Sequence, residues 1–190
     1  MTTPDDYTLT VSATIGGTVY SKQITITVEA STGADSVVYT LDTTASGNTG
    51  GSNGYDTEST DITIGGVKWN ATGNTTVSPW RIGGKNISNK DRTIYNTTAI
   101  NYSISNVDLV SGEASSITVN SVKLIVASDA NFSTVISEIS KSFTANSTLS
   151  FERPEGVEWK NCYYKVVYNV TVSGNSNKFV EFKKLEFTGK

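Results

Sequence analysis

The sequence predicts an all-β protein, an antiparallel β-sandwich behind an N-terminal β-hairpin. Three observations carry this: the composition, the repeated alternation of apolar and polar residues, and the lack of any segment with a useful helical period. Hydrophobic residues make up 36% of the 190 positions and charged residues 17%, both below the usual share for soluble domains. Thr, Ser, Asn and Gly fill the difference, and all four disfavour helix. Thr, being β-branched, suits the solvated face of a strand. Aromatic residues at 9% and clear alternation separate the chain from disordered sequence. Its length suits one complete sandwich or barrel with a small addition.

Residues 7–13 alternate as a half-buried strand. Gly16-Gly17 then forms a hairpin turn. In the next strand, residues 19–28, Ile24, Ile26 and Val28 share one face and Thr25 and Thr27 the other. An isolated hairpin is marginal in water. Residues 1–30 are therefore expected to dock on the next domain, to pair with a neighbouring subunit, or to belong to a partial module. Residues 31–36 read as a linker, and residues 37–190 as the sandwich.

Within that second domain, residues 37–41 form a strand. The segment 42–60 then loosens around Gly47, Gly50, Gly51 and Gly54, and loops of this length are usually functional or mobile. Ile62, Ile64 and Val67 resume strand character and run into Trp69. The stretch 67–84 organises the rest: Trp69 and Trp80 flank a polar loop, Pro79 fixes the chain before Trp80, and Arg81 follows it. Gly83-Gly84 follow, and then Asn89-Lys90-Asp91, which reads as a polar turn. Further strands are expected at 93–95, 100–110, 116–127, 135–144 and 147–152. Alternation of Val122, Leu124 and Val126 with Lys123 and Ile125 suggests cover on both faces of its strand. A long pair, 162–172 and 178–187, closes the chain around a four-residue hairpin loop at 174–177. In the last strand the alternation slips by one residue at Lys183-Lys184, and a β-bulge there would restore the inward face.

Histidine is absent, which removes Ser-His-Asp and Cys-His catalysis and every histidine metal centre. The single cysteine, Cys162, allows no intrachain disulfide or cysteine zinc site and reads as a buried thiol. A net charge of −3 without a basic stripe argues against nucleic acid as a partner. No apolar run is long enough to insert in a membrane. The first residues are polar, so no signal peptide is read there. That leaves a removed signal, or another way out of the cell such as incorporation into a virus particle.

Three stretches carry a resemblance: Ile-Thr-Ile-Gly-Gly-Val-Lys-Trp-Asn-Ala at 62–71, Ser-Pro-Trp-Arg-Ile-Gly-Gly at 78–84, and Phe-Val-Glu-Phe-Lys-Lys-Leu-Glu-Phe-Thr-Gly at 179–189. Residues 37–189 thereby resemble a galactose-binding-like (discoidin-type) jelly roll of secreted Bacteroidetes proteins. The N-terminal hairpin resembles the last two strands of a bacterial immunoglobulin-like domain. The resemblance implies a jelly roll that binds glycans, lipids or proteins, or plays a structural part; the fold does not choose among these. Where such domains hold calcium, acidic loops beside the first strands supply the ligands. Asp42, Asp56, Glu58 and Asp61 lie in the corresponding region and offer the hard oxygens calcium prefers, without a fixed spacing. A solvated loop is the plainer account of them.

For sugar binding the residues of suitable type on or beside loops are Trp80, Arg81, Trp69, Tyr55 and Asn74. Trp69, ending an apolar strand, also reads as core, and Trp80 stands evenly between core and ligand. Arg81 more often stacks on an aromatic ring or pairs with a carboxylate. Trp159 reads as a cap on one end of the sandwich. Glu152, Glu155 and Glu158 are close in sequence, but their turn is ordinary loop chemistry rather than a carboxylate pair for glycoside hydrolysis. The eight Asn-X-Ser/Thr sequons follow from the composition. The expectation is a non-catalytic extracellular module that binds a glycan or cell-surface polysaccharide, with no cofactor beyond a structural calcium ion. Its alternative is a structural virion component (phage capsid decoration, fibre or tail protein) that pairs with neighbouring subunits through residues 1–30.

Overall fold

Among the described residues every regular element is a β-strand, fourteen in all. The computed structural model describes residues 5–28, 34–45, 47, 48, 55, 61–75 and 78–190. Residues 31–33 of the expected linker, together with Asp56 and Glu58, lie outside them. Contacts divide the chain into two units, Met1–Ala34 and Asp35–Lys190.

The first unit is a hairpin of β1 (Asp5–Ile15) and β2 (Thr18–Val28), in unbroken antiparallel register from Asp5↔Val28 to Ile15↔Thr18. Gly16 and Gly17 close it with φ of 58° and 85°, the paired positive values that a two-residue type I′ turn requires. Directly opposed residues share a face, so Leu9, Val11 and Ile15 lie with Tyr20 and Ile24, while Thr8, Thr10 and Ser12 lie with Thr25, Gln23 and Ser21. The apolar face is exposed, with Leu9 at 51% and Tyr20 at 59%.

The second unit runs β3 (Ser36–Asp42), β4 (Ile62–Ile64), β5 (Val67–Thr72), β6 (Asn74–Thr75), β7 (Trp80–Gly84) and β8 (Ile87–Asn96). It continues with β9 (Ile100–Ser115), β10 (Thr118–Ala127), β11 (Val135–Lys141), β12 (Thr148–Glu152), β13 (Lys160–Val172) and β14 (Lys178–Gly189). All pairings are antiparallel. One sheet has the order β12-β9-β14, and the far edge of β14 is shared by β3 and by β7 with β6. The other has the order β4-β5-β8-β13-β10-β11. Two bridges, Lys160↔Ser103 and Cys162↔Ile100, join the sheets at one corner. The result is an all-β antiparallel sandwich.

Several turns differ from the sequence reading. The apolar run 62–69 is two strands, because Gly65 and Gly66 adopt φ of 56° and 81° and fold it into a hairpin. Asn89-Lys90-Asp91 lies inside β8: Asn89 takes φ 47°, and the ladder with β13 slips there between Val170 and Val172. This is a bulge rather than a turn. Trp80–Gly84 is a strand rather than a loop margin. It needs Gly83, since a Cβ at that position would sit 1.9 Å from the Lys178 carbonyl oxygen on β14. Strands β13 and β14 are not a hairpin but the central strands of opposite sheets, so the loop around Gly174 is a crossover.

The slip at Lys183-Lys184 is present. The ladder between β14 and β9 jumps between Phe182↔Ser111 and Lys184↔Val110. Val180 and Phe182 point inward before it, Leu185 and Phe187 after it, and all four are buried. At the same place β14 exchanges its partner β7 for β3. On β10, Val122, Leu124 and Val126 are buried and Lys123 and Ile125 half-buried, so the second face is covered only in part.

The tryptophans anchor the core. Trp69, on the second sheet, stacks on Tyr39 at 6.3 Å and tilts on Phe187 of the first. Its Nε1 donates to the Tyr39 hydroxyl, which donates in turn to the Ile64 carbonyl. Burial pushes that hydroxyl up to about 12 despite the bond from Trp69. Trp80 packs on Phe182 and donates to the Asn48 carbonyl. Trp159 sits edge-on to Tyr164 and donates to the Ser137 hydroxyl. Each indole is fully buried and each N–H is satisfied, as a buried indole requires.

Candidate functional site

A partly desolvated cation between two aromatic rings, at the mouth of an open cleft, is the chemically richest feature of the surface. It lies on the outer face of the second sheet. Tyr95 on β8 and Lys165 on β13 are direct cross-strand partners, and Thr93 pairs with Val167 one step along the same face. The third wall is the loop between β10 and β11. Ala127 pairs with Val135 at the base of that loop, and the sequence Asp129-Ala-Asn-Phe-Ser-Thr shapes it.

Asp129 sets the loop conformation. Its Oδ1 accepts the amides of Asn131 at 3.0 Å and Ser133 at 3.2 Å, and its Oδ2 accepts that of Thr134 at 2.7 Å. These bonds, the one from Thr134 foremost, hold the carboxyl down to about 2 against an opposing effect of desolvation. The tight turn puts Phe132 at φ 56°, which is unusual for a bulky residue. Its ring is thereby carried over the sheet, edge-on to Tyr95 at 6.1 Å and 90°. The Lys165 ammonium lies 3.9 Å from the Phe132 ring centre and 5.7 Å from that of Tyr95. Burial lowers the pKa of this lysine, and among the described residues it makes no ion pair.

The cleft encloses about 530 Å³ between Tyr95, Phe132, Lys165, Thr93, Thr97 and Asn131. The Thr97 hydroxyl lies beneath the surface, without accessible area and with no hydrogen-bond partner among the described residues. Two ring systems, an ammonium, hydroxyls and an amide thus converge on one opening. Such a set can cover the apolar side of a small polar ligand and bond its edge. A second groove, of about 640 Å³, runs between β3, the Gly65-Gly66 turn and residues 98–102. Thr40, Thr98 and Asn101 line it and Tyr102 is exposed beside it, but no charged side chain is among its lining residues.

The residues selected from the sequence do not meet at one surface. Trp69 and Trp80 belong to opposite sheets and expose no ring face for stacking, so both are corrected to core residues. The physical reason is burial against Phe187 and Phe182. Arg81 lies over the Phe179 ring at 4.1 Å, next to Trp80 in β7. Tyr55 is buried. Asn74 contributes backbone to β6 opposite Ile82, and its side chain lies outside the description. Trp159 is buried just before β13, while Glu152, Glu155 and Glu158 are all exposed.

For calcium, the described acids do not form a cage. Asp42 Oδ1 accepts the amide and hydroxyl of Thr44, at 2.8 and 2.6 Å. Burial works to raise its pKa, but those bonds and Lys184 outweigh it and the net shift is downward. Asp61 accepts from the Asn70 side chain. Among the described residues no three acidic or thiol groups come together as metal ligands.

Sequence reasoning missed the cleft because its members are scattered over three segments. Tyr95 and Lys165 read as the outer positions of alternating strands, and Phe132 as one apolar residue in a polar turn. The available signal was the run Asp-Ala-Asn-Phe-Ser-Thr, in which an Asp able to cap the turn presents an aromatic residue three positions later. No protein-family profile matches the chain, and no curated protein sequence matches it significantly.

Proposed function

We propose that the chain is a non-catalytic, extracellular binding module with a galactose-binding-like jelly roll, and that its ligand is a carbohydrate held in the Tyr95–Phe132 cleft. The observation that carries this reading is the convergence of two aromatic rings with Lys165, Thr93, Thr97 and Asn131 on one open cleft of sugar size. Sugars are bound where ring faces cover C–H groups and fixed polar groups take the hydroxyls. The absence of histidine and the exposure of the three clustered glutamates support a role without catalysis. The test is a glycan array with the wild-type chain and Phe132→Ala. Binding that disappears in the variant, with the circular dichroism spectrum unchanged, is the expected result. A blank array for the folded protein would remove the reading.

A second reading rests on a different observation, the exposed apolar face of the N-terminal hairpin. Leu9, Val11, Ile15, Tyr20 and Ile24 share one exposed face of two long strands, with Lys22 opposite Val11 and Thr18 opposite Ile15, and exposed apolar patches are usually covered by a partner. On this reading the protein is a structural assembly component, such as a virion protein, that pairs with neighbouring subunits through residues 1–30. Its mass in solution separates the two: a monomer supports the first, a defined closed oligomer the second.

A further inference from the structure

We infer that the Tyr95–Phe132 cleft selects an anionic sugar, one whose ring carries a carboxylate, and that Lys165 is the residue that selects it. This rests on the carbohydrate reading above and narrows its substrate class. The argument begins with charge. The Lys165 ammonium stands at the cleft with no carboxylate paired to it among the described residues. Of the acids on the same face of the sheet, Glu138 is held by Lys123 at 2.6 Å and Asp91 accepts from the Asn169 side chain at 2.7 Å. Two aromatic faces are the ammonium's neighbours. Rings of this kind stabilise a cation modestly, and they do not neutralise it.

A half-buried cation in such surroundings gains most from an incoming anion, because burial has already removed part of its hydration. A charge-assisted bond from an ammonium to a carboxylate is about twice as strong as a neutral one. The remaining groups suit the rest of a pyranose. Tyr95 and Phe132 offer apolar surface for the ring, and Asn131 and Thr93, whose hydroxyl also bonds that of Thr72 at 2.6 Å, offer partners for its hydroxyls. A neutral hexose would satisfy the hydroxyl partners and leave the ammonium uncompensated.

The test is a chemical-shift titration of the ¹⁵N-labelled full chain with two matched pairs, galacturonate against galactose and glucuronate against glucose. Each pair differs only in the carboxylate at C6. The expected result is movement of the amides of residues 93–97, 130–132 and 165, with at least one uronate bound about tenfold more tightly than its neutral partner. Lys165→Gln should abolish that preference, and Lys123→Gln, outside the cleft, should keep it. Equal affinity for acid and neutral sugar, or a preference that survives Lys165→Gln, overturns the inference and leaves the carbohydrate reading standing. Shifts with none of the four sugars, together with a blank glycan array, overturn both.

Discussion

Thr43 closes the β-bulge at Lys183. Its amide donates to the Lys183 carbonyl at 2.9 Å, and its fully buried hydroxyl reaches the carbonyls of Phe182 and Lys183. The same oxygen accepts the amide of Trp80 at 3.3 Å. One side chain therefore fills the point at which β14 leaves β7 and takes up β3, where ladder bonds are interrupted. Phe182 with Trp80 lies on one side of that point, Phe187 with Trp69 on the other.

Thr43→Val keeps the shape and removes the hydroxyl. Buried backbone groups left short of a partner cost about 1–3 kcal/mol, and the unfolding free energy from urea titration should fall by that amount. Thr43→Ser, which retains the oxygen, should recover most of the loss. A valine variant as stable as the wild type would show that the bulge needs no side-chain partner.

Trp80→Ala should act on folding alone. Emptying a fully buried indole site costs about 3–5 kcal/mol, a large part of the stability of an ordinary domain. At temperatures where the variant stays folded, its sugar affinity should match the wild type. A loss of sugar binding without a loss of stability would return Trp80 to the binding site.

Much of the fold was legible in the sequence, and the candidate site was not. Alternation with period two gave most strands, and even the bulge at Lys183 appeared as a slip in the apolar pattern. What failed was partner assignment: β13 and β14 are adjacent, long and joined by a Gly-Asn-Ser-Asn loop, so they read as a hairpin. Nothing local distinguishes a hairpin loop from a crossover of similar length, because sheet membership is set by packing. Trp80 stands evenly between core and ligand in the sequence for a related reason. Pro79 and the glycines around it marked a loop, yet Gly83 is there so that β7 can approach β14. The cleft depends on Tyr95, Phe132 and Lys165 meeting from three segments, a relation only the tertiary fold expresses.

Tyr168 and Tyr164 offer a prediction of the opposite sign. Both rings are fully buried, and neither hydroxyl has a hydrogen-bond partner among the described residues. Burial pushes both hydroxyls far above the ordinary phenol range. An unpaired buried hydroxyl costs about 1–3 kcal/mol, so Tyr168→Phe should leave thermal stability unchanged or raise it. A clear fall in Tm would mean that a partner, such as an ordered water, holds the hydroxyl.

Calcium removal should have little effect on the described part of the fold. The Asp42 carboxylate is occupied by Thr44, and Asp61 by Asn70. Melting curves with EDTA and with millimolar calcium should therefore coincide. A fall of several degrees on chelation, restored by calcium and abolished by Asp56→Asn, would instead establish the ion at the 42–61 loop.

Asp129 should make the cleft acid-sensitive in a defined window. Its carboxyl is held at about 2, against an ordinary value of 3.8, chiefly by the Thr134 amide, with the Ser133 and Asn131 amides adding to it. The charged form is the one the loop binds. For a group whose pKa is lower in the folded state, the stabilisation is complete above the unfolded value. It is lost as pH falls through the folded value. Loop order, and with it the placement of Phe132 over Tyr95, should be constant from neutral pH to about 4 and decline toward 2. The aromatic proton shifts of Phe132 and Tyr95 report this locally, free of the titration of Asp42 elsewhere. Asp129→Asn should weaken the loop at pH values where the aspartate is charged and flatten the profile, because an amide oxygen accepts less strongly than a carboxylate. Wild-type shifts that hold steady down to pH 2, or an asparagine variant with the wild-type profile, would show that backbone turns alone position Phe132.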